Sequence, residues 1–168
     1  MTHGLAWLNT LAGGDAAREL LQCCGSKRWA QEVANRRPYQ SLEALITTAN
    51  DIWWSLKPDD WLEAFRSHPK IGEKKAAEPV SSQSREWSGQ EQAGVSNVPP
   101  ETLESLATLN RAYEQKFGFI FIICASGKTS EETLSALRER LEHDPAAELR
   151  IAAGEQSKIT ELRLRKLI

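Results

Sequence analysis

Apolar residues return along most of this chain at every third and fourth position, the spacing that lines one side of a helix. Leu5, Leu8 and Leu11 do so before Gly13-Gly14, and Asp15 then reads as the N-cap of a second helix carrying Leu20, Leu21 and Cys24 up to Gly25. Ser26 suits the cap of a third helix, with Trp29 and Val33 on one face and Pro38 beyond its end. From Ser41 the series Leu42, Leu45, Ile46, Ala49, Ile52, Trp53 predicts an amphipathic helix of about four turns. Pro58 fits a first helical position, with Asp59 and Asp60 at the positive end of the dipole and Trp61, Leu62 and Phe65 facing inward. Residues 69–80, rich in Lys, Glu, Gly and Pro, read as a loop. A short helix over 81–92 follows, then a long one from Pro99-Pro100 carrying Leu103, Leu106, Leu109, Tyr113 and Phe117 to a stop at Gly118. Thr129 or Ser130 with Glu131-Glu132 opens a helix bearing Leu134, Leu137 and Leu141, and Asp144-Pro145 opens the last, lined by Leu149, Ala152, Ile159, Leu162 and Leu167.

The pattern predicts an all-α fold: one domain over residues 1–168, a helical bundle of about eight helices. One stretch departs from it. Phe119-Ile120-Phe121-Ile122-Ile123-Cys124-Ala125 is short, aromatic and β-branched, which by composition is a buried strand, yet no second strand is available to pair with it. It is therefore either helical, or extended with N–H and C=O groups available to something else, a ready-made backbone clamp for a ligand.

Composition narrows the function classes. A chain of 168 residues with 40% hydrophobic residues buries one ordinary core. Its 21 basic and 23 acidic residues nearly cancel, so neither nucleic acid nor an anionic membrane is an expected partner. No apolar run approaches the roughly 18 residues that span a bilayer, and Met1-Thr2-His3-Gly4 has no signal-peptide character. The three cysteines, two of them adjacent, fit neither a zinc site nor a redox motif, and the expected location is the cytoplasm. Ser126-Gly127-Lys128-Thr129 resembles the tail of a phosphate-binding loop but lacks the required glycine around position 122, where Ile122 stands.

Chemistry, if present, is expected at His68. Pro69 fixes its own φ and pushes His68 out of the helical region, presenting an imidazole with an ordinary pKa of about 6.5 on a stiff turn. Alone, such a histidine is more often a surface or capping residue. Four stretches in order change that: Ser67-His68-Pro69-Lys70-Ile71-Gly72, Ser88-x-x-Glu91-Gln92-Ala93-Gly94, Tyr113-x-x-Lys116-Phe117-Gly118-Phe119-x-Phe121-Ile122-x-Cys124-Ala125, and Lys158-Ile159-x-x-Leu162-Arg163-Leu164. Together they resemble the decarboxylases, bacterial type, that act on 2-oxo-4-hydroxy-4-carboxy-5-ureidoimidazoline (OHCU) to give (S)-allantoin, the last step of urate degradation.

The resemblance implies an all-helical homodimeric carboxy-lyase of purine catabolism, with no cofactor and no metal, acting on a small ureide. By position it makes His68 the catalytic proton donor and Glu91 a residue of the site that holds the substrate. It gives substrate binding to Pro69, Ser88, Gln92, Phe119, Phe121, Ile122, Ile123, Cys124, Ala125 and Arg163, with Arg165 as the alternative arginine. These residue types suit the reaction: loss of CO2 leaves an electron pair that an adjoining C=N unit can take up, and one relay must then protonate one face. Glu91 bonded to His68 would set its tautomer, and Arg163 offers a planar fork for a carboxylate. Two other classes stay open from the residues themselves: a helical interaction module docking through Trp53, Trp54 and Trp61, and a hydrolase of cyclic ureides using His68 and Glu91.

Overall fold

The computed structural model describes residues 2–73, 76–95 and 98–168; Met1 of the expected N-terminus and Lys74 and Lys75 of the expected loop lie outside them. Among the described residues the fold is all-helical. Nine α-helices occur: α1 Leu5–Thr10, α2 Gly13–Leu21, α3 Lys27–Asn35, α4 Leu42–Ser55, α5 Pro58–Phe65, α6 Ser82–Glu91, α7 Pro100–Phe117, α8 Ser130–Arg140 and α9 Pro145–Leu167, with a short 3-10 turn at Ala93–Val95. No helix of the described residues is long and apolar enough to cross a membrane.

Local chemistry accounts for several of the boundaries. Ser26, Ser41 and Ser81 each accept a hydrogen bond from the backbone N–H three residues on, satisfying a donor that the first helical turn cannot. Thr129 and Glu132 form a complete capping box at the start of α8. Asp144 accepts from the Ala147 N–H ahead of α9. Gly118 ends α7 with φ of +81°, a left-handed conformation that side chains disfavour. The start of α2 differs from expectation: Ala12 is its N-cap and Asp15 sits in the first turn, paired with Arg18 at 2.8 Å. A carboxylate there already complements the dipole, so the helix gains a turn upstream.

The chain forms two compact units, one running to Ala64 and including Ser157–Ile168, the other Phe65–Gln156. The core of the first holds Leu8, Leu20, Trp29, Val33, Leu45, Ile52, Trp53 and Leu164. Its indoles are anchored as well as buried: Trp29 Nε1 donates to Ala49 O at 3.0 Å and Trp61 Nε1 to Trp53 O at 2.9 Å. Trp53 and Trp61 are therefore core residues, and of the three tryptophans considered for docking only Trp54 is exposed. Arg37 Nη1 donates to Leu8 O and Leu11 O, capping the C-terminal end of α1.

The second unit packs around Ile71, Val95, Leu106, Tyr113, Phe121, Ile123, Ala125, Leu134 and Leu137. The stretch 119–125 is neither helix nor strand. Its side chains at 121, 122, 123 and 125 are buried, and Tyr113 meets Phe119 and Phe121 edge-on at 5.8 and 5.4 Å between ring centres.

Candidate active site

His68 follows directly from the end of α5. Its backbone N–H donates to Phe65 O at 3.1 Å, closing a last turn before Pro69, and the side chain is 7% exposed. Nε2 lies 2.7 Å from Oε1 of Gln156, which is completely buried on α9. An amide oxygen only accepts, so the proton of this bond sits on Nε2 and the ring is held in one orientation.

The turn carrying His68 is tied on two sides. Gly72, with φ of +90°, donates its N–H to Gln92 Oε1 at 3.0 Å, and Glu73 N–H donates to Lys70 O at 2.9 Å. From α7, Asn110 Nδ2 donates to Ile71 O at 3.1 Å and Glu114 pairs with Lys70 at 2.9 Å, raising the ammonium pKa above its ordinary value. The stiffness that Pro69 supplies locally is thus reinforced by contacts distant in sequence.

Helix α6 presents one buried face and one that lines a cavity. Ser84, Trp87, Ser88 and Glu91 recur at helical spacing and are buried. Arg85, Ser88, Gly89 and Gln92 line a cavity of about 450 Å³ together with Pro69, Gly72, Glu73, Val95 and Leu103. Gly94, just past α6, could not carry a Cβ, which would collide with the Lys128 carbonyl. That close approach joins the end of α6 to the turn after Ala125.

The stretch 119–125 is held by side chains in place of a strand partner. Arg140 Nη1 donates to Ile122 O at 2.6 Å, and the Cys124 N–H donates to Glu155 Oε1 at 3.3 Å. Phe121, Ile123 and Ala125 belong to the core, so these side chains are spent on packing. Burial, then the charges of Glu155 and Glu91, push the Cys124 thiol pKa up, keeping it protonated and un-nucleophilic at neutral pH.

The structure therefore brings Pro69, Ser88 and Gln92 to one cavity, and places Glu91 near enough to Cys124 to act on its charge. Arg163 lies in the other unit, 3% exposed, with Nη1 donating to Gln22 O at 3.1 Å. Arg165 is on the surface, paired with Glu43 at 2.9 Å and Glu161 at 3.0 Å. Among the described residues no group of three or more His, Cys, Asp or Glu side chains is placed to hold a metal ion.

The family model for OHCU decarboxylase matches residues 9–165. The chain belongs to the OHCU decarboxylase family. Among the relatives, the Arabidopsis thaliana uric acid degradation bifunctional protein TTL is 47% identical over 146 residues, 86% of this chain and 45% of that protein. The 2-oxo-4-hydroxy-4-carboxy-5-ureidoimidazoline decarboxylase of Amia calva is 32% identical, over 83% of this chain and 79% of its own length. A crystal structure of OHCU decarboxylase in the presence of (S)-allantoin superimposes with a TM-score of 0.75 at 43% identity, covering 89% of this chain and 96% of that one.

Three residues that hold these groups belong to no motif in the sequence. Gln156 stands on the buried face of α9 between Ala152 and Ile159, and a glutamine at such a position was the available signal, since buried amides need partners. Arg140 and Glu148 are the others, both buried beside apolar positions of their helices. Burial of a formal charge is a request for a partner, but which partner only the tertiary structure shows.

Proposed function

We propose that this chain decarboxylates OHCU to (S)-allantoin without a cofactor, completing urate degradation. The observation that carries the reading is the setting of His68: a buried imidazole oriented by Gln156, on a turn whose next residue lines a cavity with Ser88 and Gln92, in a chain matching the family from residue 9 to 165.

In this reading Pro69, Ser88 and Gln92 receive the ureide from the cavity side, and the backbone of Phe119, Phe121, Ile122, Ile123, Cys124 and Ala125 matches its amide-like donors and acceptors. The electron pair left by departing CO2 moves into the adjoining C=N unit, and His68 delivers the proton to one face of the resulting enol-like carbon. Glu91 tunes that proton. The part given to Arg163, pairing with an anionic group, rests on the resemblance alone; Arg165 is committed to Glu43 and Glu161. We also take the whole chain as one domain of the family, a cytoplasmic homodimer, readings that the family match across 9–165 supports for the domain and the resemblance for the rest. Sedimentation would test the dimer.

The decisive assay generates the unstable substrate in situ from urate and follows the optical activity of allantoin. Fast, enantiomerically pure product is expected with wild type and not with His68→Ala. Slow, racemic product in the presence of the wild-type protein would overturn the reading.

A further inference from the structure

We propose that Arg140 is a positioning residue for this reaction, acting through the carbonyl of Ile122; the proposal rests on the function assigned above. The stretch 119–125 poses a structural problem, since it has neither a helical nor a strand ladder to fix its backbone. The N–H and C=O groups of Phe119, Ile120, Phe121 and Ile123 make no hydrogen bond to other described residues. A backbone that is to meet a planar ureide must nevertheless hold its groups in set directions.

Arg140 supplies the missing constraint. It is 6% exposed, and each part of its guanidinium is used. Nε donates to Glu148 Oε1 at 2.5 Å, Nη1 to Ile122 O at 2.6 Å and Nη2 to Tyr113 OH at 3.3 Å, while the flat face lies 4.5 Å from the Phe121 ring centre. One rigid plane thereby fixes the carbonyl at 122 and the ring at 121 together. Glu148, fully buried, holds the plane in turn, accepting from Tyr113 OH at 2.5 Å and lying 3.0 Å from His143 Nδ1.

Stability alone does not explain this arrangement. A buried ion pair is often no more stabilising than apolar side chains of the same volume, whereas its geometry is specific. A lysine would keep the charge but not the fork: its single nitrogen cannot hold Glu148 and the Ile122 carbonyl in one plane. Glu155, bonded to the Cys124 N–H, supplies a second anchor two residues on.

The test compares wild type, Arg140→Lys and Glu148→Gln by amide hydrogen exchange without ligand and by turnover of in situ substrate. Arg140→Lys should speed exchange of the Cys124 N–H, which is hydrogen-bonded to Glu155, by about tenfold or more relative to α6, and lower kcat/KM by about ten- to a hundredfold, the scale of a misplaced site. Glu148→Gln keeps the shape and should give the same pattern more weakly. Unchanged exchange in the stretch in both variants, or a lowered melting temperature with wild-type kcat and KM, would overturn the proposal. If Arg140→Lys does not fold, Glu148→Gln alone decides by the same criteria. Exchange is read without substrate, so an inactive wild type would sink the assigned reaction while leaving the anchoring of the stretch to be judged on its own.

Discussion

Replacing Gln156 by leucine removes the contact that orients His68. The two side chains are nearly equal in volume, so little cavity is created and the loss falls on the polar contacts of Gln156, the 2.7 Å bond between its Oε1 and His68 Nε2 among them. Gln156 is fully buried and His68 7% exposed, so water replaces the lost bond poorly. Removing one partner of a buried hydrogen bond costs about 1–3 kcal/mol. With a urea slope of about 2 kcal/mol per molar, the midpoint should fall by about 0.5–1.5 M. Activity should fall further than stability, because a ring released from one orientation spends only part of its time aimed at the substrate. Gln156→Glu is the informative companion: it keeps an acceptor at the same place but adds negative charge, which favours the imidazolium. Its pH–rate limb should move to higher pH while the urea midpoint stays closer to wild type. Paired urea melts and pH–rate profiles test this; a leucine variant with the wild-type midpoint and an unmoved profile would refute the reasoning.

Three other outcomes follow from the same structure. Burial, partly offset by hydrogen bonds from Ser26 and Thr160, pushes the Cys24 thiol up from its ordinary 9.0 to about 12. The unfolded chain loses that proton first, so stability is intact below pH 9.0 and declines between there and about 12, by about 1.4 kcal/mol per pH unit. Cys24→Ala should show a shallower alkaline decline in urea midpoints, and parallel curves would count against it. Glu91→Gln should shift the pH–rate profile if Glu91 tunes His68; a stationary profile removes it from that role. Gly94→Ala forces a Cβ into the Lys128 carbonyl and should cost about 1–3 kcal/mol, while Gly89→Ala, with open space around its Cβ, should gain about 1 kcal/mol in thermal melts. A KM rise in Gly89→Ala would place the ligand against α6.

Much of the fold was legible because its boundaries are chemical. Ser26, Ser41, Pro58 and Thr129 announce their helices by groups that act within four residues, a range the sequence displays. The positions of Pro69, Ser88 and Gln92 on one cavity were expected only through resemblance, since nothing local says that a turn after α5 faces α6. The stretch 119–125 shows the limit most clearly. Its composition is that of a strand, and its conformation is set by Arg140 and Glu155, separated from their backbone partners by 18 and 31 residues. Composition reports what a segment would bury; it does not report which distant side chain will take the place of a neighbouring strand.

The two anchors on that stretch also set where its length is free to change. A strand keeps register through a continuous ladder, and a slip of one residue turns every side chain to the opposite face. Here the ties fall at Ile122 and Cys124, and the left-handed Gly118 turn stands upstream of both. A residue inserted between Gly118 and Phe121 can bulge without disturbing either tie. The same insertion between Ile122 and Cys124 separates them and lets only one be kept. Variation in length among relatives and redesigned chains should therefore collect on the upstream side, making this turn the place to widen or narrow the site without rebuilding its frame.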